Sequence, residues 1–531
     1  MTIELIVNVI LLVSAVAALA VMLKWDMQML QQNSYRNERY TAWLKESDDY
    51  YSTKRVLDAA VLVVSLTTMA LQSFYVVGLL AVVLLAQATT LLRRKYKKPL
   101  VFTKRVRRLY FTELTLMLAV AACTAAAGAD ATDATRIATG SLLTMLTFSW
   151  ACTLGANWLM KPVEKHINNS FVRDAERRLA QMPGMTVIGI TGSYGKTSTK
   201  HYLQRILSEQ FSVLMTPGSF NTPMGVVRTV RELMQPYNEI FICEMGAKNI
   251  GDIKEICDIV HPKYGIITAV GAQHLESFKT IENVQRTKFE LADALPADGL
   301  AVVNNDFEYV ANRPVNNVPV VRYSVGGGKD VDYCARNVRY SSHGTTFTVV
   351  GGGRDLELTT KLVGECNISN LIAAVAMARH LGVPDEKIRY AVSKIEQVEH
   401  RLNMKRTAGG ITIIDDAYNS NPTGSRMALD VLSQMTGGKR IVITPGMIEL
   451  GTEQRHYNEL LGEHIAETCD VAIVVGHYNR EAIMAGIGRK GMDQSKVHTV
   501  DTFAEAQQLM LGLATAGDTV LYENDLPDTF K

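Results

Sequence analysis

Residues Thr191–Ser198 read Thr-Gly-Ser-Tyr-Gly-Lys-Thr-Ser. Glycines followed at once by lysine and threonine have the chemistry of a phosphate cradle. Backbone N–H groups of such a loop, and of the helix after it, point at an anion. Gly192 and Gly195 let the backbone come close where a Cβ would obstruct it. Thr191, Ser193, Tyr194 and Ser198 complete the loop. Lys196 would reach the outer phosphates, and the Thr197 hydroxyl would ligate Mg²⁺. The spacing departs from the full Gly-x4-Gly-Lys-Ser/Thr pattern, because Ile190 stands where the first glycine belongs. An ordinary strand-to-helix turn is the plain alternative. The flanks favour the cradle: Met185–Ile190 is apolar and β-branched and predicts a buried strand, and Thr199–Leu207 predicts the start of a helix.

Further candidates lie at the ends of later strands. Glu239–Glu244 predicts a buried strand ending in a carboxylate. Tyr264–Val270 predicts another, and His274 follows it. Strands alternating with helices predict a parallel, doubly wound sheet. Ligands in such sheets sit beyond the carboxyl ends of the strands. Glu244 and His274 would therefore stand beside the cradle as Mg²⁺ ligands. Each taken alone is more often structural; the cradle beside them reverses that reading. Leu300–Leu362 reads as a strand-rich periphery of the same domain, with hairpin turns at Gly326–Gly328 and Gly351–Gly353. No Lys-Ser/Thr follows those glycines, so they are not further nucleotide loops. From about residue 403, the segments Gly410–Asp415, Arg440–Pro445, Asp470–Gly476, Lys496–Val500 and Thr519–Glu523 predict a second α/β sheet. Helices Gly424–Met435 and Gln454–Thr468 lie between its strands. Glu449 and His456 are candidates for the active site or for plain helix surface.

The composition of the 531-residue chain is uneven. About three domains are expected at this length. The net charge of +2, with no long basic tract, gives no sign of a nucleic-acid partner. Seven cysteines without a Cys-x-x-Cys pair argue against a zinc ribbon or a disulfide framework. The first 160 residues are far more apolar than the rest. Leu5–Leu23 has about the ~20 residues that a bilayer helix needs. A cleaved signal peptide is the rival reading, but no basic residue precedes the run. Val56–Leu92 reads as two helices with a turn near Gln72–Ser73, and Leu109–Gly128 and Ile137–Met160 add two more. Basic residues in Lys24–Arg55 and Arg93–Arg108 mark the cytoplasmic side. The expectation is five spans, with the N-terminus outside and everything after Lys161 in the cytoplasm, integral to the cytoplasmic membrane. A buried helical bundle is the alternative. Membrane lipid is the expected surrounding, and Arg93–Arg108 could attract anionic head groups.

A series of motifs then carries a family resemblance. The cradle is followed in order by Asn221–Gly225, Glu244–Ile253, Ile267–Phe278, Arg286–Leu291, Gly364–Ala374, His400–Asn403, Ile414–Pro422 and Gly446–Gly451. This series resembles the Mur ligases, most closely the MurF branch, over roughly residues 184–520. The resemblance implies a multi-domain chain. A transmembrane helical region at 1–160 and a linker at 161–183 come first. A central ATP-binding domain with a parallel sheet follows at 184–402, then a Rossmann-like α/β domain at 403–531. It also implies ATP and two Mg²⁺ ions as cofactors. Thr197 and Glu244 match ligands of the first ion. His274 matches a ligand of the second, and Lys288 matches a lysine that is often carbamylated and supports it. Lys196 matches the phosphate lysine, Asn370 an adenine contact, Arg401 a phosphate contact and Asp416 a ribose contact.

The activity implied is ATP-dependent amide-bond formation through an acyl phosphate. The substrates implied are a muramoyl-peptide precursor and an amine, an amino acid or a dipeptide such as D-alanyl-D-alanine. A membrane-associated ligase of the poly-γ-glutamate type and a non-catalytic membrane scaffold are the alternatives; an ATP-driven transporter would need polar residues that these spans lack. Three departures stand out. Tyr194 replaces the usual cradle asparagine. Apolar helices stand where MurF enzymes carry a small soluble domain for the UDP-sugar end of the substrate. The last strand runs into Glu523–Asp528 instead of Lys-Gly-Ser, which suggests different recognition of a substrate end. The default acceptor implied is the UDP-MurNAc-tripeptide; the helices in place of the UDP-sugar domain suggest a membrane-bound or lipid-linked acceptor as the sharper variant.

Overall fold

A computed structural model describes residues 3–47, 49–71, 74–96, 98–341, 344–418 and 420–526. The expected turn at Gln72–Ser73, as well as Asn419, Pro527 and Asp528, lies outside these residues. The chain forms two compact units, one from the residues up to Asn168 and the other from Asn169–Asp525.

The first unit is helical, with helices Ile3–Gln32, Asn37–Glu46, Thr53–Leu71, Phe74–Arg93, Lys104–Ala125 and Ala131–Thr147, and the start of Ser149–Ala180. Three stretches, Ile3–Gln32, Tyr75–Arg93 and Lys104–Ala125, are long and apolar enough to cross a membrane. The expected span Ile137–Met160 is corrected: it is not one straight helix. Its residues divide between Ala131–Thr147 and Ser149–Ala180, which meet at 82° and would make a fourth span only as a bent pair. Phe148 leaves the helical conformation at φ −105° and ψ 28°. Ser149 next to it gives its hydroxyl proton to Asp26 Oδ2 at 2.5 Å. The fifth expected span falls in Thr53–Leu71, part of whose side chains lie outside the described residues.

Arg55 anchors a polar centre in this unit. Its guanidinium meets Asp26 at 2.5 Å, Asp49 at 2.8 Å and Ser149 at 3.1 Å. Tyr40 donates to Asp26 at 2.8 Å. Three charges that would be costly to bury alone are thereby paired and hydrogen-bonded.

The second unit holds two sheets. The strands of the first are β1 (Thr186–Thr191), β2 (Val213–Met215), β3 (Ile240–Glu244), β4 (Tyr264–Ile267), β5 (Leu300–Asn304), β6 (Val320–Ser324), β7 (Tyr333–Ser341), β8 (Gly344–Gly351) and β9 (Arg354–Thr360). They lie in the order β2-β3-β1-β4-β5-β6-β7-β8-β9. Pairing is parallel from β2 to β7 and antiparallel from β7 to β9. The period-2 alternation of strand side chains sorts its residues: Ile188, Ile190, Ile240 and Ile242 face one helical layer, and Val187, Phe241 and Cys243 face the other. The strand-rich periphery thus continues the central sheet. Gly351–Gly353 does turn a hairpin between β8 and β9. Gly326–Gly328 does not, because β6 and β7 run parallel, and this expectation is corrected.

The second sheet contains β10 (Asn403–Arg406), β11 (Thr412–Asp416), β12 (Arg440–Thr444), β13 (Val471–Val475), β14 (Val497–Val500) and β15 (Thr519–Glu523). Their order is β10-β11-β15-β12-β13-β14, parallel except for β10 against β11. Ile414, Val442, Ala472 and Leu521 pack one face, and Ile441, Ile443, Ile473 and Val520 the other.

Candidate active site

The cradle sits where β1 gives way to the helix Lys196–Leu207. Gly195 has φ +81° at the helix N-cap, a backbone that favours glycine. A Cβ on Gly192 would meet Thr268 Oγ1 at 2.1 Å, and one on Gly195 would meet Asn370 Oδ1 at 2.6 Å. Ser193 fastens the loop to the next strand end, accepting from Gly271 N at 3.0 Å. The Lys196 ammonium folds over the loop and donates to Gly192 O at 2.7 Å and Ser193 O at 3.2 Å. It is pushed down to about 8 by burial, which outweighs the pull of Glu244.

Glu244 is the last residue of β3, directly beside β1. Thr197 Oγ1 donates to its Oε1 at 3.2 Å, and Asn221 Nδ2 does so at 3.0 Å. Lys200 pairs with its other oxygen at 2.9 Å and donates to Gly218 O at 2.6 Å. Burial opposes ionisation of Glu244, but Lys200 and Lys196 together hold its carboxyl below the usual range. Lys200 and Asn221 were not singled out in the sequence. The signal for Lys200 was its place four residues after Lys196, one turn along the same helix face.

His274 stands beyond β4, at the N-cap of the short helix Leu275–Phe278. Its Nδ1 bonds Glu449 Oε2. Lys288, on the helix Ile281–Asp293, is 2% exposed. Among the described residues its side chain has no hydrogen bond or ion pair. Burial first, and then the Lys196 charge, pushes it down to about 7. Lys288 in turn helps to lower His274, after burial and Lys248. These charges therefore share one neighbourhood.

A pocket opens between the two sheets' domains. Tyr194, Gly195, Ser198, Asn370, Arg401 and Asp416 all line it. Asn370 is held by the Thr199 hydroxyl at 3.1 Å. Arg401 lies over the Tyr418 ring at 4.3 Å. Asp416 accepts from Leu402 N at 3.1 Å and is pushed up to about 6 by burial. The Tyr194 ring packs edge-on against Phe307 at 5.2 Å, in the same wall. Of the two open candidates, Glu449 enters the site and His456 does not: His456 is an exposed position of the helix Gln454–Thr468.

The donor chemistry fits Mg²⁺ bound jointly with a nucleotide. Thr197 and Glu244 offer hard oxygens side by side, and Mg²⁺ takes its remaining ligands from phosphate and water. No cluster of three or more His, Cys, Asp or Glu residues suited to hold a metal occurs among the described residues. The Lys288 amine, readily neutral, is chemically able to take up CO2 as a carbamate.

A glycine loop with Lys-Thr, a carboxylate on the adjacent strand and a polar pocket between two α/β domains define a nucleotide-using enzyme. Two family models match the chain, the Mur ligase middle domain at residues 190–378 and the Mur ligase glutamate ligase domain at 400–522. Among curated relatives, the UDP-N-acetylmuramoyl-tripeptide–D-alanyl-D-alanine ligase of Bacillus subtilis is 29% identical over 347 residues, which are 64% of this chain and 73% of the relative. Its Escherichia coli counterpart is 28% identical over 374 residues, 68% and 82% respectively. Among solved structures, MurF from Acinetobacter baumannii superposes with a TM-score of 0.62 at 27% identity, covering 67% of this chain and 77% of that one. MurF from Thermotoga maritima in complex with ADP shares the fold, with a TM-score of 0.61 at 24% identity over 67% and 80%. The chain belongs to the Mur ligase family. It is an ATP-dependent ligase similar to MurF.

Proposed function

We propose that this protein is a membrane-held peptide ligase of peptidoglycan precursor synthesis, joining D-alanyl-D-alanine or a related amine to a muramoyl peptide. A carboxylate oxygen of the acceptor attacks the γ-phosphorus of ATP, and ADP leaves. The amine nitrogen then attacks the acyl carbon, the C–O bond to phosphate breaks, and phosphate departs with the amide formed. The observation that carries this reading is the convergence of Lys196, Thr197 and Glu244 where β1 and β3 end, with the loop neighbours Tyr194, Gly195 and Ser198 lining a pocket together with Asn370, Arg401 and Asp416.

Lys196 and the loop N–H groups hold the phosphates in line and stabilise the charge that develops on them. Asn370 reads the base, Asp416 the ribose and Arg401 a phosphate. Thr197 and Glu244 would hold one Mg²⁺, and His274 with carbamylated Lys288 a second; the ions supply charge neutralisation on the phosphate oxygens. The domain from 403 onward closes over the acyl phosphate and excludes water. The working division is a membrane region at 1–160, a linker at 161–183, the ATP-binding domain at 184–402 and the closing domain at 403–531.

The acceptor in this reading is lipid-linked. The long apolar helices and the start of the family match at residue 190 support that choice. The basic segments support catalytic domains on the cytoplasmic side, with the N-terminus outside. The test supplies the purified full chain with ATP, D-alanyl-D-alanine and either the UDP-linked or the lipid-linked muramoyl peptide, and follows phosphate release. Faster turnover on the lipid-linked form is expected. Equal or better turnover on the soluble form removes the lipid-linked acceptor and leaves the ligase assignment standing.

A further inference from the structure

Glu449 belongs to the second α/β domain, yet it reaches three residues of the first. Its carboxylate takes Lys248 at 2.8 Å and 3.2 Å, on the loop that follows Glu244. It also takes the Nδ1 hydrogen of His274, on the loop that follows β4. Its carbonyl accepts from Glu276 N at 3.2 Å, two residues past the imidazole. Gly451 lies against the same backbone, where a Cβ would come within 3.2 Å of Glu276 Cα. Glu449 makes these contacts from φ +63°, a left-handed backbone that non-glycine residues seldom adopt. Such outliers persist where the surroundings over-determine them, and they cluster at working sites.

The bond to His274 has a consequence for the imidazole. An ionised carboxylate can only accept, so Nδ1 must carry the hydrogen. In the neutral ring Nε2 is then the lone-pair nitrogen, and among the described residues it has no partner. We propose that Glu449 is a positioning residue: the second domain, on closing, delivers the carboxylate that fixes the His274 tautomer and so completes the second Mg²⁺ site. Closure and the second ion are thereby linked, and each favours the other. This rests on the reading of His274 as a ligand of that ion. Outer carboxylates of this kind orient metal-binding histidines, and their loss weakens metal affinity about 10–100-fold.

The test counts bound Mn²⁺ by electron paramagnetic resonance on the detergent-solubilised full chain with a non-hydrolysable ATP analogue. The wild type should bind two ions, and His274→Ala one. Glu449→Ala should weaken that same ion about 10–100-fold and leave the other ion and the analogue unaffected. Glu449→Gln keeps an oxygen acceptor and should retain both ions, as should Lys248→Met, which leaves the imidazole bond intact. Full retention of the second ion in Glu449→Ala, with its loss in His274→Ala, overturns the positioning role alone. Equal weakening of both ions and the analogue in Glu449→Ala assigns Glu449 a structural role and overturns it too. Two ions in His274→Ala overturn the ligand reading beneath it.

Discussion

Arg55 in the helical unit is 3% exposed, and Asp26, Asp49 and Ser149 take up its guanidinium from three directions. Lys288 in the α/β unit is as deeply buried, at 2%, and meets no partner among the described residues. Lys196 close to it spends its ammonium on two carbonyls of its own loop. Both units bury basic groups whose charged form water would favour. The difference lies in what offsets the lost hydration. A closed set of partners, as around Arg55, fixes helices against one another and leaves nothing to offer a ligand. An open set keeps part of the cost outstanding until an anion arrives. Buried amines left without a carboxylate partner beside a glycine loop, as Lys196 and Lys288 are, therefore mark the working site, whereas a set of ion pairs closed on itself marks structure.

Substitutions can sharpen or break that contrast. Arg55→Ala leaves Asp26 and Asp49 uncompensated and should destabilise the helical unit by about 3–5 kcal/mol, seen as a lowered midpoint of thermal unfolding in detergent. A shift of only a degree or two would show that the network is not structural. Lys196→Ala should lower phosphate release about 10²–10³-fold without lowering the thermal midpoint. A large loss of stability with little loss of turnover would invert the assignment of the two regions.

Glu523 is an intermediate case. It is 1% exposed, and among the described residues its carboxyl meets only the hydroxyls of Ser420 and of Thr444, the latter at 2.9 Å. Burial pushes its carboxyl up to about 7 from an ordinary 4.5. The folded state thus holds a proton that the unfolded chain gives up more easily. The associated stability is full below about pH 4.5 and is lost as the pH rises through about 7. Thermal midpoints of the wild type should fall across that window, and Glu523→Gln should flatten the fall and gain up to ~3 kcal/mol at pH 8. Parallel pH profiles for the two proteins would show that the carboxyl stays ionised. His456→Ala, at an exposed helix position, should change stability by less than about 0.5 kcal/mol and leave turnover as it was. A clear loss of turnover would return His456 to the active site.

Much of the α/β unit was legible in the sequence because its strands are buried on both faces and read as short apolar runs. Thr519–Glu523 and Gln454–Thr468 fall on their expected boundaries, and β1 differs from its expected range by a single residue at each end. The helical unit was harder. Apolar composition marks a stretch as helical but not where it bends, so the break at Phe148 went unseen. Parallel pairing of β6 and β7 was hidden as well, since two glycine runs look alike whether the chain folds back or crosses over. Lys200 was passed over because a lysine one turn into a helix is usually solvated. Only its partner at the end of β3, Glu244, made it a buried ion.

The sequence by itself determined the phosphate loop and the order of strands and helices, because glycine freedom, side-chain alternation and local spacing act over a few residues. It also determined which residue types were on hand for chemistry. Tertiary structure alone decided which charges share a crevice, and that Glu449 rather than His456 crosses to His274. Those outcomes depend on distances between segments far apart in the chain, set by how the sheets pack and not by any local pattern.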